Sequence, residues 1–126
     1  MNILRLRLCL ACALATGAGM LFSCGEALAA DSDSDAAGSK LFHTQDCTGC
    51  HGPNGEGIPG LAPSLKGDKF VMSASEADIA HVIKQGRAGS EKLYKDLSQP
   101  MPPHPNLDDQ QLKQLVEYLK NGLQKR

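Results

Sequence analysis

An all-α fold of three or more helices joined by long loops is what this sequence predicts, on three observations. Apolar residues recur at helical spacing in three separate stretches, each with recognisable end signals. No stretch alternates apolar and polar residues with the period of two that a strand requires. The connections are crowded with glycine and proline, which forbid regular structure over lengths unusual for so small a chain.

The first helix is expected from Asp35 through Leu41 and Phe42 to about Asp46, with Leu41 and Phe42 on its apolar face. Gly38 lies one turn before Phe42; poor in helix propensity, it points to a close helix crossing. Gly52-Pro53-Asn54-Gly55-Glu56-Gly57-Ile58-Pro59-Gly60 then reads as a loop. For the second helix Ser73 and Ser75 are candidate N-caps, Ser73 with Glu76 fitting a capping box. Ile79, Ala80, Val82 and Ile83 follow at helical spacing and Gly86 closes it. Phe70-Val71-Met72, just before it, reads as core packing. The last helix begins near Asp108 or Asp109, acidic residues suiting its positive end. Leu112, Leu115, Val116 and Leu119 form its buried stripe, and Tyr118 flanks it. Three helices with such loops lack a core of their own, so a ligand to pack around is expected.

Before the first helix the chain carries Arg5 and Arg7, an apolar run from Leu8 to about Cys24, and Ala27-Leu28-Ala29 ahead of an aspartate-rich segment. That pattern predicts a secretory leader over residues 1–29, cleaved after Ala29. A flexible tail is then expected over 30–36, where Asp31, Asp33 and Asp35 alternate with small residues, and one small domain over 37–126. A second reading takes Leu21-Phe22-Ser23-Cys24 as a lipobox that would make Cys24 a lipidated N-terminus; Phe22 is bulky for it. Either reading implies export, to a periplasm or an equivalent compartment. The full chain has 13 basic and 14 acidic residues, which is not the balance of a nucleic-acid binder.

Cys9, Cys12 and Cys24 fall in the leader, leaving Cys47 and Cys50 in Cys47-Thr48-Gly49-Cys50-His51. C-x-x-C-H is the attachment sequence for c-type haem: two thiols add across the haem vinyl groups and the adjacent histidine becomes the proximal iron ligand. A zinc site would need a second ligand pair, which the sequence lacks. A thioredoxin-like pair would need a βαβ setting, equally missing. One covalently bound haem c, held through Cys47 and Cys50 with His51 on the iron, would also supply the missing core.

With the haem motif in place, the order of the remaining segments resembles a class I c-type cytochrome from about Ala37 to Gly122. It runs Gly38-x-x-x-Phe42, Cys47-Thr48-Gly49-Cys50-His51, Leu61-Ala62-Pro63-Ser64-Leu65-Lys66-Gly67, Met101-Pro102-Pro103 and Leu115-Val116-Glu117-Tyr118-Leu119. The resemblance implies the cytochrome c fold, with Gly38 and Phe42 of the first helix crossing Leu115 and Tyr118 of the last. It also implies that the backbone carbonyl of Pro63 accepts a hydrogen bond from the second ring nitrogen of His51, which would fix the imidazole tautomer.

The sixth iron ligand has several candidates. Met101 sits in Gln99-Pro100-Met101-Pro102-Pro103, where prolines hold an extended backbone suited to presenting a thioether. Met72 is the other methionine outside the leader. Of the histidines, His43 is too near the attachment motif to reach the opposite haem face easily, His81 lies beside an apolar stripe, and His104 shares the Met101 loop. Met101 is the expected ligand and His104 the rival. Arg87, Lys92, Tyr94 and Lys95 occupy a long segment before Met101 and are candidates to approach the haem propionates, a solvated face being the default for all four.

Histidine and methionine together would close the iron to substrate and leave one-electron transfer as its chemistry. The expected function is an electron carrier, not an enzyme, shuttling between transient redox protein partners at an exposed haem edge, most simply as a monomer. The alternatives are a haem subunit of a particular oxidoreductase, or a gas-binding haem if the Met101 bond is weak. Membrane attachment would follow only from lipidation of Cys24.

Overall fold

The computed structural model describes residues 29–126. The expected leader, including Cys24 and its lipobox, lies outside the described residues except for Ala29.

Among the described residues five α-helices form: α1 Ala29–Thr44, α2 Cys47–His51, α3 Lys69–Ser73, α4 Glu76–Gln85 and α5 Asp109–Glu117. A π-helical turn, Tyr118–Gly122, and a 3-10 turn, Leu123–Lys125, continue α5. Among the described residues there is no strand, only isolated bridges between Ile58 and Ala62 and between Arg87 and Met101. The all-α expectation holds.

Helices α3, α4 and α5 each begin where a side chain accepts from a free N–H group. At α5, Asp108 accepts from the Gln111 N–H at 2.8 Å while the Gln111 side chain accepts from the Asp108 N–H at 3.0 Å, a full capping box. At α4 the cap is Ser75, whose hydroxyl accepts from the Asp78 N–H. The Ser73–Glu76 box does not form, because Ser73 is the last residue of α3 and its hydroxyl donates to the Lys69 carbonyl at 2.6 Å. Helix α3 itself escaped sequence reading, being only five residues long. Its signal was Asp68, which caps it by accepting from the Val71 N–H.

Helix α1 starts earlier than expected and replaces the tail over 30–36 with regular structure. Packing explains this: the Ser34 hydroxyl donates to Glu117, and the Asp35 carboxyl lies against Gly122. Contact with α5 and its continuation thus outweighs the polar composition, which by itself would leave the segment unfolded.

Helix α1 crosses α5 at Gly38, which is buried and leaves no room for a side chain: a Cβ there would lie 2.2 Å from the Gln114 carbonyl oxygen and 2.4 Å from the Tyr118 Cβ. One turn on, the rings of Phe42 and Tyr118 meet with centroids 5.9 Å apart. The crossing inferred from Gly38 and Phe42 is therefore present. Tyr118, expected at the edge of the stripe, is 1% exposed. The π-helical turn it opens holds an extra residue, so Tyr118, Leu119, Gly122 and Leu123 all face inward.

Ile79 and Ile83 of α4 join Val71, Leu107, Leu112, Leu115 and Val116 in the same core. Met72 does not: it is 54% exposed. Successive residues of a helix point about 100° apart, so once Val71 faces the core its neighbour turns to solvent.

Candidate functional site

Cys47, Cys50 and His51 all lie on α2, one and a half turns of helix entered through Asp46. Asp46 has the left-handed values φ 57, ψ 14, which let the chain reverse out of α1 immediately before the first cysteine. Aspartate tolerates that conformation better than most residues. On this short helix Cys47 and Cys50 are three residues apart and share a face, which opens onto a deep cleft.

The loop over residues 52–68 contributes Leu61, Ala62, Pro63, Leu65 and Asp68 to the cleft. The Gly57 N–H donates to the His51 carbonyl at 2.7 Å, Ile58 and Ala62 exchange backbone hydrogen bonds at 3.1 Å, and the Leu65 N–H donates to the Gly55 carbonyl at 2.8 Å. Folded back in this way, the loop brings the Pro63 carbonyl to 3.0 Å from His51 Nδ1. A carbonyl can only accept, so the proton resides on Nδ1 and the Nε2 lone pair is left free. Burial holds the His51 pKa below its ordinary value, the bond to Pro63 opposing it in part. The imidazole is therefore neutral at neutral pH, the form that binds metal.

Met101 stands on a separate loop and lines the same cleft. Its backbone exchanges two hydrogen bonds with Arg87, at 3.0 and 2.9 Å, which join the Met101 loop to the chain leaving α4. Of the rivals, His43 and His81 are exposed and do not line the cleft. His104 is half-buried on its wall, and its backbone N–H donates to the Ile83 carbonyl at 3.0 Å. Met72 is not part of the lining.

Around these groups the cleft holds about 1210 Å³ of empty space, its open mouth included. Phe42, Leu65, Phe70, Ile83 and Leu119 are among its apolar walls. Cys47 and Cys50 are not joined to each other, so both sulfurs are available for attachment of a haem. Two thiols and one neutral imidazole on one face of a large apolar cleft, with a thioether on its lining, fit a haem in both shape and donor chemistry. A structural zinc site fits poorly, since among the described residues no three or more histidine, cysteine or acidic side chains are grouped so that they could hold a metal ion.

At the mouth the structure separates the four residues of the long segment. Arg87, Lys92 and Tyr94 line the cleft, whereas Lys95 turns away and donates to the Ser90 carbonyl at 2.5 Å. The Arg87 guanidinium lies 4.1 Å from the centre of the Phe70 ring, a cation–π contact. Lys92 donates to the Leu97 carbonyl, and the Tyr94 hydroxyl to Asp68. Sequence reasoning missed both Phe70 and Asp68 in this wall, because their roles depend on α3.

Fold and cleft together define a monohaem c-type cytochrome domain. The family model for cytochrome c matches residues 36–122, most of the chain, and the chain belongs to that family. Membership carries covalently bound haem c, for which Cys47 and Cys50 are in place. The chain is also similar to two proteins named Cbb3-type cytochrome c oxidase subunit FixP. The one from Bradyrhizobium sp. (strain ORS 278) is 40% identical over 55 residues, 43% of this chain and 19% of the relative. The one from Bradyrhizobium diazoefficiens is 38% identical over the same length and shares. The match thus spans about a fifth of each relative.

Proposed function

We propose that the chain is a one-electron carrier in which Cys47 and Cys50 would hold a haem covalently and His51 and Met101 would ligate its iron. The observation that carries this reading is the presence on one apolar cleft of the His51 imidazole, tautomerically fixed by Pro63, and the Met101 thioether. When bound, the haem iron supplies an Fe(II)/Fe(III) couple. The chain's residues then set its properties. His51 offers Nε2, made a better donor by the Pro63 carbonyl behind it. Met101 offers a soft sulfur that favours Fe(II), and the apolar walls oppose the additional charge of Fe(III); both raise the potential. With two protein ligands, no position is left for a substrate.

Redox proteins are the partners, met in transient contacts at the mouth of the cleft. The relatives are named as subunits of an oxidase, which favours as a second reading that this domain serves a larger oxidoreductase. The leader expected over residues 1–29 would place the domain in the periplasm, with membrane attachment if Cys24 is lipidated. Among the described residues no helix is long and apolar enough to cross a membrane.

Visible spectra of the oxidised and reduced holoprotein, with and without carbon monoxide, test the reading. The expected result is a low-spin spectrum with a methionine-to-ferric charge-transfer band, indifferent to carbon monoxide and lost in Met101→Ala. A band that survives Met101→Ala, or ready carbon monoxide binding by the unaltered protein, would overturn it.

A further inference from the structure

Gly86 ends α4 with φ 73 and ψ −174, a region of backbone space essentially reserved for glycine. It is buried, and what buries it is the backbone of the Met101 loop. A Cβ at position 86 would lie 2.5 Å from the Met101 carbonyl oxygen, 2.8 Å from the Pro103 nitrogen and 2.9 Å from the Pro102 carbonyl carbon. All three are main-chain atoms, which no change of rotamer can move aside.

On one side of this contact Arg87 and Met101 exchange their two hydrogen bonds, and on the other the His104 N–H reaches back to the Ile83 carbonyl. Between those anchors Pro102 and Pro103 have no N–H to bond with. The depth to which the loop settles against α4 is therefore set by the bare α-carbon of Gly86. Helix α4 is itself anchored by Ile79 and Ile83 in the core.

We propose that Gly86 is a positioning residue for the Met101 sulfur: by leaving its Cβ space to the backbone of 101–103, it fixes how far the thioether reaches into the cleft. The inference rests on the reading of Met101 as the sixth ligand. Any side chain at 86 lifts the loop and lengthens or breaks that bond, although residue 86 does not itself line the cleft.

The test compares oxidised holoprotein carrying Gly86→Ala, Gly89→Ala or Met101→Ala with the unaltered protein, by charge-transfer band and imidazole titration. Gly89 also has a positive φ, of 52, but a Cβ there meets nothing within 4 Å. It thus shares the positive φ without the contact. Gly86→Ala should lose most of the band and bind imidazole about tenfold more tightly, because release of the sulfur relieves the strain of the misfit. Gly89→Ala should behave as the unaltered protein.

A Gly86→Ala protein with unaltered band and imidazole affinity overturns the proposal, as does a Gly89→Ala protein equally impaired. If the band survives Met101→Ala, it is the ligand assignment that falls. Should Gly86→Ala fail to fold, hydrogen exchange in the unaltered protein decides. Saturating imidazole should speed exchange of the Arg87 and Met101 amides about tenfold if the sulfur and the Met101 loop move together, since those amides are protected by each other's carbonyls. Unchanged exchange would show that the sulfur leaves while the loop stays, and would refute the proposal.

Discussion

Gly38→Ala sets two opposing effects against each other, and the structure says which is larger. In an unhindered helix the change stabilises by roughly 0.8–1 kcal/mol, because glycine loses more backbone freedom on folding. Here the new Cβ would sit 2.2 Å from the Gln114 carbonyl oxygen and 2.4 Å from the Tyr118 Cβ, where carbon atoms ordinarily approach to about 3.5–4.0 Å. Neither neighbour can swing away, so α1 must lift from α5 by about an ångström, separating Phe42 from Tyr118 as it goes. Overpacking of this kind costs about 1–3 kcal/mol, and the helices also lose contact along their crossing. The net effect is a destabilisation of about 1–2 kcal/mol, or a fall in Tm of about 5–15 °C for a domain of this size. Thermal unfolding of the holoprotein, followed by far-ultraviolet circular dichroism, measures it. A Tm within about 2 °C of the unaltered protein, or a higher one, would refute the argument that this crossing has no space.

Two further predictions concern the frame of the cleft. Asp108→Ala removes the side chain that caps α5 and should cost about 1 kcal/mol in denaturant unfolding, since the Gln111 N–H loses its acceptor; an unchanged midpoint would mean that the cap contributes nothing. Tyr94 donates to Asp68, and this bond, with smaller contributions from burial and the Asp68 charge, raises its pKa above the ordinary 10.0. As pH rises past that ordinary value the unfolded chain releases the phenolic proton first, so the stability from this pair is complete below it and is lost on the way to the folded-state value. Stability should accordingly decline more steeply at alkaline pH in the unaltered protein than in Tyr94→Phe, and coincident slopes would remove the bond from the account.

Features carried by neighbours in the chain were legible beforehand. Cys47, Cys50 and His51 form a contiguous motif whose chemistry follows from spacing on one turn of helix. Asp108 and Gly86 mark the ends of their helices through local backbone chemistry. Met101 stood out from Met72 because prolines on both sides keep its loop extended, and it is Met101 that lines the cleft. The Ser73–Glu76 box had the right letters and failed, because the short helix α3 had already claimed Ser73. A capping pattern states what a side chain is able to do, and competition with a second helix decides whether it does.

By itself the sequence determined the helical class, the haem-attachment motif and the residues able to serve as ligands, since these depend on local stereochemistry and on the donor atoms each side chain carries. The tertiary structure decided which of them meet. It put Pro63 behind His51 through the closure of loop 52–68, and it ordered residues 29–36 by giving Ser34 and Asp35 partners on the last helix. It buried Tyr118 through a π-helical turn and turned Met72 outward. At Gly38 and Gly86 it brought separate stretches of backbone within the space of one missing methyl group. Contacts of that kind join residues far apart in the chain, and they are settled by which shapes can close-pack together, a property no single segment possesses.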